Sequence, residues 1–335
     1  MGRNLFLLPQ FKFHNGGNMK KIVLVAVVLL LCVGMSVFAG GSKEQIRMAT
    51  GGSTGTYYAY GTALGQVLQE KTKIPITIQS TGASKANIQL LEAGEVEIAI
   101  CQNDVMDYAW RGVDLFSAEG KSTGFASMAA LYPEVCQIIA NPASGVRTIA
   151  DLRGRNVSVG DAGSGVEFNA KQILEIYGMS FTDINKQNLS FAASADALRD
   201  NKIDAFFATS GVPIPAVVDL ATTKDIILLE IDDAHAAMLM QKYPFYTRFP
   251  IPAGSYRGQT RVCPNLAVMA CFIVSPKLKD DTVYQLTKQL FESKAQIISA
   301  HAKGEFLDPF YAVEGMTVPF HPGAAKYYRE VGALK

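Results

Sequence analysis

The residues best suited to chemistry in this 335-residue chain are glycines and hydroxyls gathered in loops. Thr50-Gly51-Gly52-Ser53-Thr54-Gly55-Thr56-Tyr57-Tyr58 is the richest such stretch. Asp161-Ala162-Gly163-Ser164-Gly165 has a similar character. The first leads into an amphipathic helix with Ala63, Leu64, Val67 and Leu68 on one stripe. Glycine lets backbone approach a ligand closely, and a helix N-terminus offers unpaired N–H groups to negative charge. Such loops suit the capture of a small molecule. They do not suit nucleotide binding, because neither G-x-x-x-x-G-K-[ST] nor G-x-G-x-x-G occurs.

Catalysis has little support. His235, His301 and His321 are scattered without metal-ligand spacing. Ser164 sits between two glycines but not in a G-x-S-x-G elbow, and no base and orienting group accompany it. The sequence therefore predicts no enzyme, no cofactor and no metal. Helix capping is the ordinary role of Ser53, Ser84 and Ser164, and it is compatible with ligand contact. Tyr57, Tyr58 and Tyr60 fall on different helix faces, so Tyr57 or Tyr58 is expected to line a cleft. Arg111, Arg153, Arg155, Arg257 and Arg261 have the chemistry to clamp a carboxylate, although a solvated position is expected for most.

Met19-Lys20-Lys21 followed by the apolar run Ile22 to Val33 and by Val37-Phe38-Ala39 has the form of an export signal, with cleavage expected after Ala39. Met19 is the better start, which makes residues 1–18 an extension. Cys32 follows Leu31 rather than a small residue, which disfavours lipid anchoring there. Residues 1–39 hold four basic residues and no acidic one; without them, 27 basic face 30 acidic residues, a net charge of −3. A mildly acidic chain without basic runs argues against nucleic acid. Cys101, Cys136, Cys263 and Cys271 match neither a zinc nor a CxxC redox pattern and are expected to be buried thiols; Cys136 with Cys263 is the pair to test for a disulfide.

Some 295 residues remain, more than one comfortable core. Strand and helix alternate, which predicts an α/β fold. Strands are expected at Ile46–Thr50, Ile76–Ser80, Glu97–Cys101, Val135–Ala140, Asn156–Gly160, Ala205–Thr209, Ile226–Ile231 and Leu266–Ser275. Helices are expected over Thr56–Thr72, Asp280–Lys303 and Pro322–Val331. Leu90 to Ala99 parallels Ala197 to Phe206: a helix end, a tight turn, an acidic residue and an apolar strand. The expected organisation is a first domain over 40–137, an inserted second domain over 138–262, and a return to the first over 263–335. Two crossing segments then make a hinge around a central cleft.

The chain resembles the TAXI family of TRAP-transporter solute receptors. The matching segments are Thr50 to Tyr58, Ser80-Thr81-Gly82-Ala83-Ser84-Lys85-Ala86-Asn87, Gln102-Asn103-Asp104, Leu131-Tyr132-Pro133-Glu134, Val159 to Gly165, Ile203 to Phe207 and His321 to Tyr328. Thr54 stands where that family often has glycine, and Lys85 where an acidic or apolar residue is common. The resemblance implies a type-II periplasmic binding fold that delivers glutamate or a related dicarboxylate or amino acid to a TRAP membrane permease. Ser53, Thr54, Thr56, Tyr57, Thr81, Ser84, Asn87, Gln102 and Asp104 are then expected on one wall, Asp104 receiving a substrate amine. Ser164, Gly165, Glu167, Ser210 and Gly211 are expected on the other. An exported sensor, or a hydrolase or transferase on the same scaffold, is the alternative.

Overall fold

Ile46, Met48 and Ala49 are fully buried and open strand β1 (Ile46–Ala49) of a ten-stranded sheet. The computed structural model describes residues 45–335; the leader expected over residues 1–39, with Cys32 and the choice of Met19, lies outside them. No helix among the described residues is long and apolar enough to cross a membrane.

Helix α1 (Thr56–Thr72) occupies the expected residues and buries Tyr60, Leu64 and Leu68 against the sheet. Next come β2 (Ile76–Gln79), α2 (Ser84–Ala93), β3 (Ile98–Gln102) and α3 (Asn103–Arg111). The long β4 (Ala126–Ala140) leads to β5 (Asn156–Ser158), α4 (Gly165–Ile176), β6 (Asn185–Gln187), α5 (Phe191–Arg199) and β7 (Ala205–Ser210). Beyond it lie α6 (Pro215–Thr223), β8 (Ile227–Leu228), α7 (Asp233–Lys242), β9 (Thr247–Arg248) and β10 (Leu266–Val274). The chain finishes with α8 (Asp280–Glu292), α9 (Lys294–Ala300) and α10 (Pro322–Glu330).

Strand order is β2-β1-β3-β10-β4-β7-β5-β6, with β8 on β4 and β9 on β10. The outer triplets are parallel, whereas β10 and β4 run antiparallel to their neighbours in the middle. Helices cover both faces. Leu286 of α8 and Tyr328 of α10 join the core of α1, while Ile173 of α4 and Leu239 of α7 pack around Val157 and Phe207. The fold is α/β.

The two similar sequence segments are structurally alike for identifiable reasons. Gly94 ends α2 at φ 71°, and Asn201 turns the chain after α5 at φ 57°; both occupy the left-handed region that glycine and asparagine tolerate best. The acidic residue that follows fixes the neighbouring strand. Glu97 accepts from the Arg47 backbone N–H at 2.7 Å, and Asp204 from that of Asn156 at 2.9 Å.

Some boundaries differ from expectation. Strand β4 begins nine residues before Val135, because the buried run from Ser127 to Tyr132 pairs with β10 and lacks the polar alternation of a half-exposed strand. The helix expected over Asp280–Lys303 breaks at Ser293, where the backbone turns to φ −94°, ψ 14°. Only Ile227–Leu228 of the strand expected over Ile226–Ile231 pairs, against the far end of β4.

The four cysteines among the described residues are free and buried. Cys136 meets Thr209 while Cys263 meets the Leu229 carbonyl, so these two have separate partners; the thiols in mutual contact are Cys101 and Cys271, 3.7 Å apart across β3 and β10. Burial pushes the Cys136 thiol up to about 12 and Cys263 up to about 11. Thiolate is the reactive form. In a chain lacking residues 1–39, Ellman's reagent is therefore expected to titrate no thiol in native protein and all four after denaturation. Rapid native labelling would contradict this burial.

Candidate functional site

Four strand–helix connections converge on one cavity. They leave the carboxyl ends of β1, β3, β5 and β7, the edge where parallel α/β sheets place ligands. Gly51, Gly52, Gly55, Thr56 and Tyr57 come from the first, and Gln102 from the second. Asp161, Ser164, Gly165 and Val166 come from the third, and Thr209 and Ser210 from the last. Ala83 and Ser84 complete one wall, Phe191 the other, and Glu134 of β4 lies between them. The centre of a water molecule can move through about 50 Å³ of this space.

Local chemistry places each group. Ser164 is the N-cap of α4, its hydroxyl accepting from the Glu167 N–H at 3.3 Å, while Gly165 begins that helix. A Cβ on Gly165 would run into the Gln102 side-chain amide, so glycine permits the two walls to approach. Ser84 begins α2 and accepts from the Gln102 N–H at 3.2 Å. Just before it, Ala83 is held at φ 67°, a strained conformation for a residue with a Cβ. Ser210 donates to the Thr56 hydroxyl at 3.0 Å, and Thr56 donates to the Gly211 carbonyl at 3.4 Å. Lys85 N–H donates to the Gly163 carbonyl at 3.1 Å, tying the opposite wall down as well.

Of the residues singled out from sequence, Thr56, Tyr57, Ser84, Gln102, Ser164, Gly165 and Ser210 line the cavity. The others stand behind it. Ser53 and Thr54 occupy the outer turn of the first loop, more exposed than their neighbours. Thr81 donates to the Thr50 carbonyl, and Asn87 bonds the carbonyls of Thr50 and Ile100, which holds β1, β3 and the second loop in place. Asp104 accepts from Asn169 at 3.0 Å and from Val105 N–H at 2.9 Å; burial pushes its carboxyl up to about 7. Glu167 binds Lys186, Asn188 and the Gly163 N–H; burial opposes its charge, but those partners hold it below the usual carboxylate range. Gly211 borders Lys303 and Thr56.

Lys85 points away, pairing with Glu119 at 2.7 Å and with the Leu115 carbonyl. His321 caps α10, His301 packs against Tyr60, and His235 stacks on Tyr177. No described group of His, Cys, Asp and Glu has the arrangement of a metal site.

Glu134, Asp161, Thr209 and Phe191 were not expected at the site. Glu134 carried a signal of its own, as the lone charged residue in the fifteen residues of β4. It is 1% exposed and accepts a 2.6 Å hydrogen bond from the Tyr57 hydroxyl.

A family model described as "NMT1-like family" matches residues 48–332. PhnD1 from Prochlorococcus marinus (MIT 9301), solved in complex with methylphosphonate, is similar in structure with a TM-score of 0.55 at 8% identity, over 88% of this chain and all of that one. A protein from Bordetella bronchiseptica RB50 gives a TM-score of 0.53 at 17% identity, over 88% of this chain and 90% of its own. What the chain shares with these two proteins is its α/β fold.

Proposed function

Because the chain belongs to the NMT1-like family, matched from residue 48 to residue 332, we propose that it is a solute receptor that captures a small carboxylated molecule and hands it to a membrane permease. The observation that carries this reading is the convergence of four strand-end loops, from two separated parts of the sequence, on one cavity. Hydroxyls and helix N-termini surround it, the equipment for holding an anionic group without chemistry.

The finer reading is a TRAP-type receptor for glutamate or a related dicarboxylate or amino acid, supported by the TAXI-like segments of the sequence. Residues 138–262 form the moving part, and residues 40–137 and 263–335 the other. The first boundary falls inside β4 and the last lies just before β10, so both crossings run through the middle of the sheet. The hydrogen bonds between Thr56, Ser210 and Gly211, and between Lys85 and Gly163, would open when the cavity does. Export by the leader, with cleavage after Ala39, places the receptor outside the cytoplasm.

The test is mass spectrometry of small molecules released by denaturing freshly purified protein that lacks residues 1–39. A stoichiometric carboxylated ion is expected. Release of nothing, with no thermal shift from any carboxylated solute, would sink the reading; turnover of a bound ligand would replace it with an enzyme.

A further inference from the structure

We propose that Glu134 and Gln102 form a subsite for a primary ammonium group, so that the receptor selects a solute bearing an amine as well as a carboxylate. This deepens the receptor reading and rests on it. Among the described residues, the cavity walls hold two carboxyl residues, Glu134 and Asp161, and no lysine or arginine. A dicarboxylate without an amine would place two negative charges there with only dipoles to receive them. An ammonium reverses that mismatch.

The acceptors are in place. Glu134 and Gln102 are 1% and 2% exposed and both line the cavity. Gln102 Oε1 is buried without a hydrogen-bond partner among the described residues, a costly arrangement unless a donor completes it. Glu134 forms no ion pair among the described residues, and its Oε2 takes only the Tyr57 hydroxyl. An ammonium brings three donors and a charge. The carboxylate of the same solute then lies toward the N-termini of α1 and α4, whose first residues also line the cavity.

The surroundings of Glu134 predict a proton signature. Burial pushes its carboxyl well above the usual carboxylate range; the Tyr57 hydroxyl lowers it, buried Asp104 on α3 raises it, and Lys303, after α9, lowers it. Tyr132, Cys101 and Cys136 stand nearby and remain neutral, each raised by its own burial. Lys303 is occupied elsewhere, donating to the Val212 carbonyl at 3.0 Å. In the empty cavity Glu134 is therefore neutral below its raised pKa. An arriving ammonium favours the carboxylate, so binding expels the proton and affinity falls as pH is lowered.

The experiment is isothermal titration of the protein lacking residues 1–39, in buffers of differing ionisation enthalpy. The probes are the protein amino acids and the amine-free glutarate, succinate and pyruvate. Expected are binding of at least one amino acid, release of about one proton per ligand, and an affinity that rises up to tenfold per pH unit below the Glu134 pKa. Glu134→Gln should weaken that ligand about 10- to 100-fold. Tyr57→Phe removes a bond that lowers the Glu134 pKa and should move the pH midpoint upward. Binding of amine-free acids alone, or of an amino acid without proton release, overturns the subsite and leaves the receptor standing. Binding of no probe in either class overturns both.

Discussion

Replacing Gly165 with valine is expected to weaken ligand binding about 10- to 100-fold while the protein still folds. The first residue of α4 lies so close to the Gln102 side chain that even one added carbon collides with it. The atoms met are the end of a flexible side chain, but Gln102 is 2% exposed, so displacing it is expected to cost about 1–3 kcal/mol. On the proposed hinge the collision exists only while the two walls face each other, and opening the cavity would relieve it. Apparent affinity then falls with the fraction of molecules able to close. Isothermal titration with the solute released from native protein reads the effect, and circular dichroism checks the fold. Wild-type affinity in this variant would mean that the present approach of α4 to Gln102 is not the ligand-holding arrangement.

The second large effect concerns stability. Phe272 is fully buried in β10, paired with Ile100 of β3 on one side and Ala129 of β4 on the other. It belongs to the same core as Leu64 of α1 and Leu286 of α8. Phe272→Ala removes a ring at the centre of the sheet and leaves a cavity that rigid neighbours on two strands cannot fill. A loss of about 3–5 kcal/mol is expected. The melting temperature should fall by roughly 6–20 °C. Urea denaturation should show a lower midpoint with an unchanged slope. A loss below about 1 kcal/mol would show that this core repacks, contrary to its burial.

Much of the scaffold was legible because local and tertiary demands agree. The stripe of Ala63, Leu64, Val67 and Leu68 both favours a helix and meets the sheet, and α1 has the expected bounds. Gly94 and Asn201 mark equivalent turns because a left-handed residue is needed at each. Glu97 and Asp204 follow because an N–H near the start of a neighbouring strand, that of Arg47 or Asn156, wants an acceptor. The early part of β4 was illegible, since a run buried on both faces carries no period of two. The break at Ser293 has no strong breaker residue to announce it.

The site followed the same division. Glycine and hydroxyl content found the loops, but could not separate residues facing the cavity from those bracing it. Thr81 and Asn87 have the same polar character as Ser84, yet their bonds run to the Thr50 backbone. Glu134 comes from a strand rather than a loop. Only the crossing of β4 between the two walls makes its position meaningful.

That crossing has a mechanical consequence. At the usual rise per residue, the fifteen residues of β4 reach about 50 Å, and Glu134 stands one residue from the midpoint. On the proposed hinge, the strand would act as a lever with its fulcrum beside the cavity. A tilt of about 10° there would hardly disturb Glu134, yet would carry each tip about 4 Å in opposite directions, given arms of about 25 Å. A solute small enough to fit under two side chains would thus set the spacing of surfaces far beyond its own reach.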